Sequence, residues 1–261
     1  MYTTSGFVLR KYDIGEADRM YIIYTKDYGK KNLFCKGALK IKSKLSPHLA
    51  EFADVDIDFV QGKTFEKIVG ARMEKSFSRI RDDLRKIAIA NYILDVVDNL
   101  TKVDHPDREI YTLIKKASEI IDEQKDIRKA YFSANIFIWK LIILLGYKPE
   151  FDKCSECGKK LEEPYFNNRR CEFVCGECRA GRREEWTMDI DELRHGKPLP
   201  NPPLKGEGTR ALCRSSFEYL KGNPMAEVDF DEIIFIIKSF MRLQLEKVLK
   251  SEVWITKLFD Y

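Results

Sequence analysis

Histidine is scarce in this 261-residue chain. His48, His105 and His195 are the only three, far apart and without the spacing of a metal or catalytic pair. No G-x-x-x-x-G-K-[ST] phosphate loop, G-x-S-x-G elbow or H-E-x-x-H helix occurs, so three common enzymatic signatures are excluded. The opening segment MYTTSGFVLRKYDIGEADR lacks a cationic leader followed by an apolar run, and no secretory signal peptide is expected. Long hydrophobic runs are also missing. The most apolar stretch, residues 131–147 (YFSANIFIWKLIILLGY), only reaches the lower limit of roughly 17 residues for a spanning helix. Asn135 and Lys140 interrupt it, which predicts a buried core helix and no membrane association. Charge of one sign is lacking as well: 46 Lys+Arg face 42 Asp+Glu, a net +4. Affinity for a polyanion must therefore rest on where the cations sit.

What is present describes a folded chain. Hydrophobic residues at 44% and aromatics at 12% can build a core, which excludes wholesale disorder. Charged residues at 34%, against roughly 25% in an average chain, indicate a heavily solvated surface. At roughly 150 residues per domain, the length predicts two domains, or one with a small module. Seven cysteines stand at 35, 154, 157, 171, 175, 178 and 213. An odd count suits no disulfide framework, and clustering of five within 154–178 points to metal-binding thiolates in a reducing compartment, hence a cytoplasmic location.

The periodicity changes twice along the chain. Five short strands are expected before residue 80: Ser5–Lys11, Arg19–Thr25, Lys30–Lys36, Ala53–Phe59 and Thr64–Met73. Ala53, Val55, Ile57 and Phe59 alternate with Asp54, Asp56 and Asp58, which predicts one buried and one wet, acidic face. Five strands in so short a segment suit a small closed barrel, because closure removes exposed edges. Steps of three and four then mark helices over 84–100, 110–121 and 128–146, and again over Thr209–Leu220 and Phe230–Leu249. The Cys cluster and a proline-rich loop at 195–208 lie between these two groups, whose helices are expected to pack as one bundle around the Cys module. The expected class is α+β: a barrel over 1–79, a helical domain begun at 80–151, a metal module over 152–186, and a loop with the remaining helices over 187–261.

Two constellations carry chemistry. Cys154-Ser-Glu-Cys157 and Cys175-Gly-Glu-Cys178 form C-x2-C-x17-C-x2-C. Two intervening residues let each pair grip one ion, and four soft thiolates in a tetrahedron select zinc while leaving no open coordination position. A structural ion follows, standing in for a core the segment is too short to build; two metal-free redox pairs are the alternative. Cys171 could replace one of the four, although it breaks the paired spacing, and Cys35 and Cys213 are expected as small core residues. The second constellation is six lysines without an acid between positions 30 and 44: Lys30, Lys31, Lys36, Lys40, Lys42 and Lys44. Cations beside aromatics such as Tyr21, Tyr24 and Phe34 on a barrel are how single strands are held, though an ordinary wet loop has the same composition. A weaker cluster, Arg169, Arg170, Arg179, Arg182 and Arg183, surrounds the metal module. Asp54, Asp56 and Asp58 could suggest a metal-dependent nuclease, but alternation sets them on one flat strand face.

The order of motifs resembles a known family. G-x-V-L-R at 6–10, the step Gly15-Glu16-Ala17-Asp18-Arg19, T-x-x-x-G-K at 25–30, and Lys36-Gly37-Ala38 with its spaced cations are similar to the opening of the bacterial RecO proteins. The likeness continues through the helical region, the two C-x-x-C pairs with Tyr165-Phe166 between them, and a closing segment at Leu243–Leu258. Where the family often has Gly-Gly before the second pair, this chain has Cys171-Glu172. The resemblance implies an N-terminal OB-fold, a helical domain, an often zinc-bound module and no catalysis. It implies a recombination mediator that binds single- and double-stranded DNA and anneals complementary strands. With RecR, and often RecF, such a protein loads RecA onto strands coated by the single-stranded-DNA-binding protein SSB, whose C-terminal tail it docks. On these grounds Arg10, Arg19, Lys30, Lys31, Lys36, Lys40, Lys42, Lys44, Arg169 and Arg170 are the candidate DNA-binding residues. Cys154, Cys157, Cys175 and Cys178 are the candidate ligands of one Zn(2+) per chain. The competing class is a zinc-ribbon and OB-fold factor that binds RNA or assists translation.

Overall fold

The computed structural model describes residues 1–168, 170–181, 209–223, 225 and 227–259. These divide into two compact units, one of residues 1–137 with 249–261 and one of residues 138–248.

Alternating apolar residues build the first unit's barrel. Strands β1 (Tyr2–Ile14), β2 (Asp18–Thr25), β3 (Gly29–Cys35), β4 (Asp54–Val60) and β5 (Lys67–Lys75) close in the order β1-β2-β3-β5-β4. Closure comes from antiparallel pairing of β1 with β4, from Tyr2↔Phe59 to Phe7↔Asp54. A register shift between Val8 and Arg10 lets the long β1 bend from one partner to the other. Val8, Tyr21, Ile23, Leu33, Val55, Ile57 and Phe59 fill the interior. The β2–β3 hairpin turns at Gly29, whose φ of +67° and whose approach to the His105 carbonyl leave no room for a side chain. This is an OB-like barrel, as the period-two pattern predicts.

Helices α1 (Ser78–Arg81), α2 (Leu84–Leu100), α3 (Arg108–Glu123) and α4 (Ile127–Leu144) follow. Asp83, Asp107 and Asp126 stand at the entries to α2, α3 and α4, each accepting backbone N–H bonds from the first turn. The apolar stretch 131–147 falls mainly on α4, with Asn135 buried and donating to the Tyr131 carbonyl, and Lys140 exposed. Among the described residues, no helix is long and apolar enough to cross a membrane.

The acidic face of β4 departs from the expected wet surface at one end. Asp54 is 2% exposed, accepting from the Tyr111 hydroxyl and the Lys115 ammonium of α3, both at 2.8 Å. Burial and the Asp54 carboxylate together push the Tyr111 phenol upward. Asp56 accepts from Ser5 and Arg72, and Asp58 from Thr3. Strand alternation cannot reveal that a distant helix covers one end of the face. Asp54→Ala is expected to destabilise the fold by roughly 2–4 kcal/mol, because it strands a buried hydroxyl and unpairs an ammonium. Asp58→Ala, at an exposed bond, should cost less than about 1 kcal/mol. Urea unfolding of the two variants compares them directly.

The second unit holds β6 (Tyr165–Asn167), β7 (Glu172–Val174), α5 (Gly176–Gly181), β8 (Thr209–Ala211), α6 (Arg214–Lys221) and α7 (Phe230–Leu245). Helical spacing over Thr209–Leu220 misleads at its start: Thr209–Ala211 pairs with β6 as the third strand of a sheet ordered β7-β6-β8. The helix expected over Phe230–Leu249 ends early, where Glu246 takes a left-handed φ of +52°. The chain then re-enters the first unit as α8 (Lys250–Phe259), whose Ser251 donates to Asp95 of α2. The helices flanking the Cys module are therefore shared between the two units. The first takes α1–α3, the start of α4 and α8; the second takes the end of α4 with α6 and α7. The proline-rich stretch 195–208, with His195, lies outside the described residues.

Candidate metal centre and nucleic-acid interface

Two knuckles bring four sulfurs together. Gly158, at a φ of +71°, closes the first, where its N–H donates to the Cys154 carbonyl and the Cys154 N–H to that of Lys159. The second opens α5, where the Arg179 N–H donates to the Cys175 carbonyl. The Sγ atoms of Cys154, Cys157, Cys175 and Cys178 all lie within 4.8 Å of one another, with Cys157 and Cys175 3.7 Å apart. A tetrahedron with arms of about 2.3 Å has edges of about 3.8 Å, so this spacing fits one thiolate-bound ion.

The local electrostatics favour such an ion. Burial opposes ionisation of Cys154, yet the N–H groups of Cys157, Cys175 and Glu156 outweigh it and bring the thiol down to about 6. The Cys157 side chain, burial and the remaining two thiols push Cys178 up to about 12. Cys154 thus ionises readily while Cys178 resists, and a divalent cation removes that conflict. These four cysteines can hold a metal ion, and they are the only His, Cys, Asp and Glu cluster of that kind among the described residues. No such cluster forms at Asp54, Asp56 and Asp58.

Cys171 stands apart from the cluster. It is buried at the turn between β6 and β7, with Sγ 3.6 Å from the Asn168 carbonyl, and burial followed by Glu172 pushes its thiol up to about 12. Its φ of +52° is a left-handed conformation that glycine adopts more freely than cysteine. Cys171→Ser is expected to leave metal content per chain unchanged, measured by elemental analysis of reduced protein. Cys35 is buried in the barrel, as expected. Cys213 is not a core residue: it is exposed at the start of α6, where the chain turns outward to begin the helix.

Beneath the knuckles lies an aromatic cluster that the spacing of the cysteines does not reveal. Phe151 stacks on Phe173 at 5.2 Å, Phe173 meets Phe217 at 5.3 Å, and Trp139 meets Phe240 at 5.3 Å. Phe166 joins Phe173 and Phe240. The module therefore has a core, shared with α4, α6 and α7, and the ion would clamp only its outer edge. Near this edge Arg179 lies 4.6 Å over the Tyr165 ring, and Arg170 pairs with Glu156 at 2.9 Å. Arg169, Arg182 and Arg183 lie outside the described residues.

The candidate cations of the barrel separate into two groups. Arg10 pairs with Asp95 and Asp98 of α2, and Arg19 with Asp13 across the β1–β2 hairpin. Lys30 is buried against Asp98, donating to its carboxylate and backbone carbonyl, and Lys31 pairs with Glu66 and Asp104. By contrast Lys36, Lys40, Lys42 and Lys44 are exposed and make no ion pair among the described residues. Position explains the split: Lys30 and Lys31 lie on β3, where Asp98, Glu66 and Asp104 reach them, whereas Lys36, Lys40, Lys42 and Lys44 follow the end of the strand.

The aromatic assignments change in the same way. Tyr21 and Tyr24 are fully buried and offer no ring to a base. Phe34, half-buried, stacks instead on the exposed Phe65 of the β4–β5 loop, with centroids 6.3 Å apart and planes at 19°. Lys63 and Lys67, exposed and unpaired among the described residues, flank this pair, and Lys67 is the register partner of Phe34. Phe65, Lys63 and Lys67 escape a reading by lysine density because they lie a loop away in sequence. The signal available for them is that β4–β5 loops line the ligand face of OB-folds.

Comparison with known proteins adds to this geometry. A family model described as Recombination protein O N terminal matches residues 1–77, and one described as Recombination protein O C terminal matches residues 81–190. The chain belongs to the RecO family. A protein of Thermoanaerobacter named DNA repair protein RecO is 26% identical over 255 residues, covering 98% of this chain and 97% of that protein. One of the same name from Caldanaerobacter subterraneus is 28% identical over 257 residues, covering 98% of both. Another from Rubrobacter xylanophilus is 31% identical over 185 residues, covering 69% of this chain and 72% of that protein. The RecO N-terminal match covers the whole OB-like barrel, and the C-terminal match includes all four clustered cysteines.

Proposed function

We propose that this RecO-family chain is a recombination mediator in DNA repair. It binds single- and double-stranded DNA and anneals complementary strands. With RecR, and with RecF where that partner acts, it promotes RecA loading onto SSB-coated single strands, docking the SSB tail. The observation that carries this proposal is the set of four exposed lysines on the β3–β4 connection, unpaired among the described residues, which follows the strand that presents the Phe34–Phe65 stack. Cations that neutralise phosphates and rings that stack on any base give binding without sequence preference. Two strands neutralised on one protein repel each other less, and that is a physical basis for annealing.

In this proposal Lys36, Lys40, Lys42 and Lys44 grip phosphates, with Arg170 a further contact. Arg10, Arg19, Lys30 and Lys31 act mainly by holding the barrel and its helices in shape. Cys154, Cys157, Cys175 and Cys178 hold one zinc ion in a closed, structural site, since four soft donors leave no place for a substrate. The chain performs no catalysis and works in the bacterial cytoplasm at the nucleoid. Strand annealing of SSB-coated oligonucleotides is the deciding measurement. Annealing by the chain, with RecA loading dependent on added RecR, is the expected result. Preference for structured RNA over single-stranded DNA, in direct competition, would overturn it.

A further inference from the structure

The connection that carries Lys36, Lys40, Lys42 and Lys44 also carries an apolar residue that the fold does not use. Ala38, 3% exposed, plugs into the barrel core, and Leu45 packs against the same core seven residues later. Between these anchors the backbone is tightly tied. The Gly37 N–H donates to Asp18 and the Leu39 N–H to the Ala17 carbonyl. The Lys40 N–H then donates to the Gly37 carbonyl, the Ser43 N–H to the Lys40 carbonyl, and the Ser46 N–H to the Ser43 hydroxyl. Two successive tight turns result, and Ile41 is the first central residue of the second, fully exposed at 106% of its reference area.

A single apolar residue on a surface needs no special account. This one differs in its surroundings. Turn positions favour Gly, Asn, Asp and Ser, whose backbone preferences or short polar side chains suit them, and isoleucine has neither property. Its close neighbours in sequence, Lys40, Lys42 and Lys44, are all exposed and unpaired among the described residues. A polyanion drawn to those three cations is brought against Ile41. An aliphatic side chain cannot hydrogen-bond a phosphate or a base edge, so the surface it can bury is a base face. Proteins that bend or open nucleic acids insert such aliphatic wedges between base steps. The cost of unstacking is smallest where pairing is already broken.

We propose that Ile41 is a wedge that enters between two adjacent bases of a bound single strand and unstacks that step. This rests on the nucleic-acid function proposed for the lysine turn and assigns a separate task within it. The lysines supply the part of the affinity that salt abolishes, and Ile41 supplies a part that salt leaves intact. A strand held with one step opened has its Watson–Crick edges displayed for a partner strand, which is what annealing requires.

The test uses the full chain and single-stranded oligonucleotides carrying one 2-aminopurine at successive positions, whose fluorescence rises when the base is unstacked. Wild type is expected to raise the signal on binding. Ile41→Ala should lose that rise and bind roughly 5- to 20-fold more weakly, with an unchanged slope of log K against log salt. Ile41→Leu should retain the rise. Because Ile41 contacts no core, neither substitution threatens the fold. An undiminished rise with Ile41→Ala, in protein that binds with a normal salt slope, overturns the wedge alone. Failure of wild type to bind single strands overturns the nucleic-acid assignment and the wedge with it.

Discussion

Converting Lys36, Lys40, Lys42 and Lys44 together to alanine is expected to weaken single-stranded DNA binding by roughly 100- to 1,000-fold near 0.1 M salt. Each phosphate neutralised on a single strand contributes a slope of about −0.7 in log K against log salt, so four contacts account for up to about 2.8. Since the counterion term fades toward 1 M salt, variant and wild type should converge there. That convergence separates lost charge from damaged structure. All four side chains are exposed and unpaired among the described residues, so thermal stability should be nearly unchanged. Arg10→Ala and Lys30→Ala should behave oppositely. They break contacts to Asp95 and Asp98 and are expected to lower stability while leaving most of the salt slope in place. Fluorescence anisotropy titrations at four or five salt concentrations measure both quantities. A quadruple variant with the wild-type slope would remove the turn from the DNA interface.

The double substitution Cys154→Ser and Cys178→Ser should reduce bound zinc from one ion per chain to none. Each knuckle then loses a thiolate, and two remaining sulfurs cannot complete a tetrahedral site. Structural zinc contributes many kcal/mol in small modules that are unfolded without it. Here the aromatic cluster of Trp139, Phe151, Phe166, Phe173, Phe217 and Phe240 supplies a core on the inner side, so collapse should be partial. A loss of about 5 kcal/mol is expected for the module, seen as a fall in Tm of at least about 10 °C. Amide exchange should rise over 154–159 and 175–179, where the knuckle hydrogen bonds lie, and much less in β1–β5. Absence of metal from wild-type protein purified under reducing conditions would reject the site outright.

The two constellations were not equally legible in the sequence. Cysteine pairs at fixed short spacing specify their own geometry, because two residues between ligands allow only a narrow knuckle. The four candidate ligands therefore meet, and Cys171, outside the pairing, does not. Lysine spacing carries no such constraint. Lys30 and Lys36 look alike in a run of cations, yet one lies under α2 against Asp98 and the other is open to solvent. Tyr21 and Phe34 differ likewise, although both are aromatics on barrel strands.

What the chain determined by itself is local. Period-two alternation sufficed for the barrel strands, because an interior with one buried face per strand imposes that pattern. Steps of three and four sufficed for the long helices, and C-x-x-C pairs sufficed to bring together four thiols that can hold a metal ion. Tertiary structure decided the rest. It buried Asp54 under Tyr111 and Lys115, made a strand of Thr209–Ala211 by offering it an edge at β6, and returned α8 to the first unit. It also decided which of six neighbouring lysines are exposed and make no ion pair among the described residues. Each of these outcomes depends on what a distant segment covers, and burial by a remote partner leaves no periodic trace in the residues it covers.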